Sequence, residues 1–357
     1  MIKLIILIIV ALFFIIVNCP AEDSKPKGIT VVPIFSYAPE TRFSLAIDGV
    51  AFEREVCDTP YCRPSDLKFT LVGTQNSQYI FNVNPEFITK GKEYILSAVF
   101  GYTNYPSKFF GIGNNALATS EEAYTAMTSN VTVNIQRQVA APSRIGVRCE
   151  FWDLDLAGLQ QNGQLITRQI PGSAGGKLNS AGITYEYDTR DNVFSASRGA
   201  YHELYIGSAG SALGSDYTRM EYEVQLRRYI PVLKWDVLAF EAKFDFNNGT
   251  VPFQLMPSVG GSDFLRGYYD HRFMDNNFMG CQAEYRFPVH KLLSISVFGA
   301  AGEVADRIED FRADGIKPAA GAGIRFSLNT EEKIVVRTDY GIGVDSAGLY
   351  VKLDEAF

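Results

Sequence analysis

Apolar residues recur at every second position along most of this chain, and that period governs what it can fold into. Met220, Tyr222, Val224 and Leu226 alternate with Glu221, Glu223, Gln225 and Arg227. Leu238, Phe240, Ala242, Phe244 and Phe246 alternate with Ala239, Glu241, Lys243 and Asp245. Ile183, Tyr185 and Tyr187 alternate with Thr184, Glu186 and Asp188. Such segments are strands with one apolar and one polar face. Their polar faces are heavily charged, which suits the exterior of a β-sandwich or the wet lumen of a barrel. Segments of this kind are expected to begin near Ile29, Phe43, Leu67, Tyr79, Tyr94, Thr125, Ile145, Ala181, Tyr201, Met220, Val237, Phe278, Leu293, Ala319, Ile334 and Leu349. About sixteen strands, an even number, fit an all-β fold, a transmembrane antiparallel β-barrel. The longer stretches between them, near 106–122, 157–178 and 249–271, are expected as loops on one rim.

The amino-terminal residues stand apart. Met1-Ile2-Lys3 is a short positive start, Leu4 to Val17 is an unbroken apolar run, and Asn18-Cys19-Pro20-Ala21 leads into a polar stretch from Glu22 to Lys27. This is the layout of a secretory signal peptide over residues 1–21. An anchor helix is the competing reading, and the run is short for it. Lipid attachment at Cys19 is a further reading, with the unusual Asn18 before it standing against it. The barrel is then expected over residues 28–357, leaving no room between Ala21 and the first strand for a separate amino-terminal domain. Cys57 and Cys62 bracket Asp-Thr-Pro-Tyr, and in an exported chain they read as a local disulfide. Cys149 and Cys281 each sit within a strand. The three histidines are scattered, so no zinc spacing is present and no metal or cofactor is implied. The formal net charge of −7 becomes −8 once Lys3 is removed with the signal, which argues against nucleic acid as a partner.

One loop carries the sharpest local signal. Gly260-Gly261-Ser262-Asp263-Phe264-Leu265-Arg266-Gly267-Tyr268 sets a single arginine among apolar and glycine residues between two alternating segments. A guanidinium buried there needs an acceptor, because a desolvated and unpaired charge is expensive. On the strand that follows, Glu284 shares a face with Gln282 and Arg286, opposite Ala283, Tyr285 and Phe287, so the alternation points it inward. At the end of the chain Leu349, Val351, Leu353 and Phe357 fall on one face. An amphipathic last strand ending in phenylalanine resembles the carboxy-terminal signal of outer-membrane barrels.

In this order the motifs resemble the BamA/TamA family, also called the bacterial surface antigen family, from about Phe109 onward and only weakly before it. The segment Phe264-Leu265-Arg266-Gly267-Tyr268 looks like the family's arginine-glycine-aromatic loop. Tyr187-Asp188-Thr189-Arg190-Asp191-Asn192 resembles its mid-barrel element. Phe109-Phe110-Gly111, Gly163-Gln164-Leu165-Ile166, Ile170-Pro171-Gly172-Ser173, Glu284-Tyr285-Arg286-Phe287-Pro288, Gly321-Ala322-Gly323-Ile324-Arg325-Phe326 and Arg337-Thr338-Asp339-Tyr340-Gly341 complete the set. The resemblance implies a sixteen-stranded barrel whose loop folds back into the lumen, where Arg266 pairs with inward acids, Glu284 among them. The family's second acid belongs to a Phe-x-Asp-x-Gly-like element, which here reads Phe298-Gly299-Ala300-Ala301-Gly302, with alanine in the acid's place. Asp339 and Glu186 are the candidates to replace it. Assembly factors of the family carry periplasmic repeat domains before the barrel, and none is expected in this chain.

The functional expectation is an integral protein of the Gram-negative outer membrane that aids insertion or translocation of other outer-membrane proteins. Its partners would be outer-membrane lipid, client proteins, and periplasmic or outer-membrane accessory proteins. A passive channel or structural barrel is the alternative. An enzyme is not expected. His202 and Glu203 are adjacent on a strand and so point to opposite faces, and no nucleophile is marked out beside that histidine.

Overall fold

A computed structural model describes residues 27–38, 42–53, 63–89, 91 and 93–357 of the chain. Sixteen of its strands form one antiparallel sheet in sequence order. They are β1 (Lys27–Ala38), β2 (Arg42–Glu53), β3 (Ser65–Thr74), β4 (Tyr79–Ile88), β5 (Tyr94–Phe109), β6 (Glu122–Ala140), β7 (Ser143–Ala157), β8 (Gly176–Asp188), β9 (Gly199–Ala209), β10 (Arg219–Pro231) and β11 (Val237–Gly249), followed by β14 (Asn277–His290), β15 (Leu293–Ala305), β16 (Lys317–Asn329), β17 (Ile334–Ile342) and β18 (Ala347–Leu353). Two short strands, β12 (Ser258–Val259) and β13 (Phe273–Met274), pair with each other inside the long β11–β14 connection. The period-two reading places all sixteen wall strands, with starts within three residues of those observed except at β8, expected near Ala181 and beginning at Gly176. The expected signal peptide and the Cys57–Cys62 pair lie outside the described residues.

Alternation becomes an inside and an outside. Ile183, Ile324, Tyr340 and Leu349 are about half exposed on the outer face. On the inner face Glu284 and Asp339 are wholly buried, and Glu221, Glu241 and Asp245 are nearly so. Apolar outside and charged inside is the reverse of a soluble protein. It is stable when lipid is the solvent of the wall, because a barrel satisfies its backbone groups between strands and presents a mostly apolar surface outward. The sandwich reading falls on this point.

Connections on the side of the chain ends are mostly short. On the other rim, 110–121, 158–175 and 250–276 are long and fold together. Phe253 meets Phe109 and Tyr124 edge-on, with ring centroids 5.1 and 5.5 Å away. Leu165, Ile170, Val251, Met256 and Met274 complete this cap. Several motifs quoted for the family are therefore the feet of an apolar lid.

Among the described residues no ladder joins β18 to β1, so the sheet has two edges. They overlap instead. Val32 and Ile34, from the inner face of β1, pack with Val336, Val351 and Leu353, from the outer face of β17 and β18. The seam is held by side chains and not by paired backbone.

Candidate functional site

The long connection after β11 descends into the lumen and ends on Arg266. Leu265 sits at φ +50°, a left-handed conformation costly for a branched residue. Its full burial with Val259, Phe278 and Val304 holds it there. Gly267 follows at φ +125°, and a Cβ on it would collide with the backbone of Ile342 and Gly343. The loop lies backbone against backbone on β17, so only glycine fits. Tyr268 donates from its hydroxyl to the Pro318 carbonyl at 2.9 Å and accepts from the Val344 N–H at 3.1 Å. The Tyr350 hydroxyl of β18 accepts from the Gly267 N–H at 3.0 Å and donates to the Tyr268 carbonyl at 3.2 Å. Ser346 donates to the Gly267 carbonyl at 2.7 Å. The loop is thereby fastened to the last two strands of the barrel.

This placement puts the Arg266 guanidinium between two acids on different strands. One nitrogen donates to Glu284 Oε2 at 2.7 Å and the other to Asp339 Oδ2 at 2.6 Å. The guanidinium carbon lies over the ring of Phe298, 3.5 Å from its centroid. Three more arginines enclose the acids. Arg286 reaches Glu284 at 2.8 Å, Arg325 reaches Glu284 at 2.8 Å and bonds Asp339, and Arg337 reaches Asp339 at 2.8 Å and bonds Asp263. Glu355 joins from beyond β18, 3.1 Å from Arg325 and 3.6 Å from Arg286. Four arginines face four acids: Glu284, Asp339 and Glu355 each touch more than one arginine in the buried cluster, and the more exposed Asp263 touches Arg337 alone.

Glu284 and Arg266 stand together as the loop motif implied. Asp339, on β17, takes the second acid's role in place of Ala300. Glu186 does not, because Arg63 and Arg144 claim it at 2.6 and 2.7 Å elsewhere in the lumen. Phe298, the aromatic of the altered element, keeps a part as the platform under Arg266. Arg286, Arg325 and Arg337 belong to the quoted motifs, and the sequence by itself assigns them no role. Their sharing of inward positions with Glu284, Gly323 and Asp339 was the available signal. Tyr350 and Glu355 carried no signal at all. Phe357 departs from its expected place. The strand ends at Leu353, Asp354 turns the chain at φ +68°, and Phe357 is buried inside against Tyr229, Val237 and Ala239. Arg286 donates to its carbonyl at 2.9 Å.

A second inward segment meets this tail. The β8–β9 turn, residues 189–198, carries the Asp-Thr-Arg-Asp element across the lumen to both sides of the seam. Phe194 packs on Phe52 and Val50 of β2 and on Ile334 of β17, with Lys68 of β3 5.1 Å over its ring. Asn192 donates to the Glu332 carbonyl at 3.0 Å, and Lys333 donates to Asp191 at 3.0 Å. Ser195 donates to Glu355 at 3.2 Å. Among the described residues no group of three or more histidines, cysteines or acids is placed to hold a metal ion.

Residues 67–346 match the Omp85 superfamily domain. The chain belongs to the Omp85 superfamily. This Omp85 barrel is similar in fold to BamA from Haemophilus ducreyi lacking POTRA domains 1–3, at a TM-score of 0.57 and 14% identity, over 92% of this chain and 69% of that one. It is also similar to CdiB from Escherichia coli, at a TM-score of 0.58 and 10% identity, over 94% of this chain and 63% of the other. For CdiB from Acinetobacter baumannii the TM-score is 0.53 at 11% identity, over 92% and 57%. The Omp85 barrel thus spans less than two thirds of either CdiB chain. No curated protein matches the sequence. Family and fold together make it an integral membrane barrel.

Proposed function

We propose that this Omp85 barrel sits in the Gram-negative outer membrane and aids the insertion or translocation of other outer-membrane proteins through its seam. The observation that carries the reading is the pair of sheet edges, β1 and β18, that overlap through side chains without a hydrogen-bonded ladder. An edge of this kind has backbone donors and acceptors free to template an incoming strand, whereas a ladder would have to be broken first. The clamp of Arg266, Gly267 and Tyr268 on β17 and β18 keeps one edge in shape while the other yields. Partners on this reading are client outer-membrane proteins and accessory proteins with periplasmic domains. No catalytic chemistry forms part of it.

An open, passive pore is less favoured. The Arg266 loop and the apolar lid fill one end of the lumen, and the β8–β9 turn with the carboxy-terminal residues crosses the other. Cysteines in place of Val32 and Val351, joined by oxidation, should lock the seam. Cells dependent on the locked barrel should lose outer-membrane proteins while the barrel itself accumulates normally. An unchanged outer-membrane composition in locked and in deleted cells would sink the proposal.

A further inference from the structure

The wall formed by β9, β10, β11, β14 and β15 turns an almost uncharged face to the lipid. Along β10 the outward residues are Met220, Tyr222, Val224, Leu226, Arg228 and Ile230. Among the described outward positions of these five strands Arg228 is the one fixed cation, and no acid lies within ion-pairing distance of it. Every arginine of the central lumen cluster has a carboxylate, so an unpaired guanidinium on the apolar side stands out. A cation at the centre of a lipid-facing wall costs about 2–4 kcal/mol, and the cost falls near zero at the interface.

Position and surroundings say how Arg228 is satisfied. It lies three residues before Pro231, the end of β10, and the turn beyond exposes Lys234 and Trp235, as expected of an interfacial girdle. Its side chain can therefore reach the headgroups of the leaflet on the side of the chain ends. His202 of β9 stands one register step away, opposite Leu226. Its ring stacks on Tyr187, and its Nδ1 is buried with no hydrogen-bond partner. Beside these two polar groups the wall sinks into an apolar hollow of about 640 Å³, floored by Ala242, Cys281, Ala283 and Ala301 and walled by Phe240.

We infer that this hollow is a phospholipid site, in which Arg228 and His202 hold the phosphate and an acyl chain fills the depression between Phe240 and Ala301. Charge complementarity selects the occupant. The Arg228 guanidinium calls for an anion, the unpartnered His202 ring can donate a hydrogen bond to it, and the apolar floor calls for a hydrocarbon attached to it. A partner helix would satisfy the floor and leave the guanidinium unpaired. The inference stands independently of the seam.

Native mass spectrometry of the full protein in detergent, with dioleoylphosphatidylglycerol added, tests it. The wild-type barrel should retain one lipid per molecule. Arg228→Gln should lower retention about fivefold, the equivalent of one basic residue at a membrane surface. Ala283→Trp should abolish it by filling the hollow. Inorganic phosphate in excess should not compete. Both substitutions face lipid, and mobility in unheated gels reports that the barrel has formed. Equal retention by Arg228→Gln and wild type would overturn the site, and displacement of the lipid by inorganic phosphate would reduce it to a bare anion site.

Discussion

Arg266 is fixed by two acids on two strands, by a ring beneath it and by a glycine after it. A buried pair is weak evidence for stability, since desolvation offsets much of the attraction, but removal of one partner leaves charges stranded. Loss of Arg266 strands Glu284 and Asp339 only in part, because Arg286, Arg325 and Arg337 remain in contact. The wall has its own ladders and does not depend on the loop. We therefore expect Arg266→Ala to cost about 3 kcal/mol in docking of the loop while the barrel still forms. Arg266→Lys should recover little of it, because an ammonium lacks the planar fork that reaches both carboxylates. Limited proteolysis of 260–272, beside gel mobility of unheated samples, measures the two effects separately. A loop equally protected in all three proteins would remove the clamp from the account. The alanine at position 300 also finds its explanation at this scale. The second carboxylate comes from β17 instead of β15, and Phe298 supplies a surface in place of a charge.

Two elements close the chain-end side of the lumen, the β8–β9 turn and the residues after β18. The turn touches β2 and β17 at once, so it bridges the seam from within. Its anchor is Asp191. Burial alone would raise that carboxyl, but hydrogen bonds from Ser197 and Lys333 outweigh burial and hold it below the usual carboxylate range. A lowered folded-state pKa contributes stability above the ordinary value of about 3.9 and loses it as pH falls through the lowered one. The turn should stay docked at neutral pH and loosen only in acid below that ordinary value. Phe194→Ala should undock it at neutral pH, at about 3–5 kcal/mol for a buried phenylalanine. Hydrogen exchange of 189–198, and of β1 and β18 beside it, is the measurement. Faster exchange in the turn with unchanged seam strands would show that the bridge does not restrain the seam.

For the whole molecule the decisive property is the inversion of polarity across a single sheet. The barrel needs no apolar core in its lumen, because the lipid takes that role for the outer face. Buried charge is tolerated inside because almost every lumen arginine meets an acid, as Arg148 meets Glu223 and Arg227 meets Glu241. A charge on the outer face has no such partner. Ile183→Lys, on an outward residue of β8, should destabilise the barrel by about 2–4 kcal/mol if the site lies near mid-membrane. Thr184→Ser, its inward neighbour, should have little effect. Equilibrium folding into phosphatidylcholine vesicles distinguishes them, and equal stability of the two variants would contradict the assignment of the faces.

Strand number, strand position and the division of each strand into an apolar and a polar face were legible in the chain, because a period of two is a local property of the backbone, whereas the closed sheet decided which face turns outward. Glu284 was legible for the same reason, since Gln282 and Arg286 share its face. The need of Arg266 for an acceptor followed from the cost of burying a charge. The identity of the second acceptor did not. Asp339 lies 73 residues from Arg266, and only the closing of the sheet brings β17 alongside the loop. The inward turn at Asp354 was equally hidden, because the alternation up to Leu353 reads the same whether or not the chain then bends. The overlapping seam also belongs to tertiary structure alone. Alternation states which face of β18 is apolar, but β1 is apolar on both faces from Val31 to Ile34, and whether two edges pair or slide over one another depends on the curvature of all the strands between them.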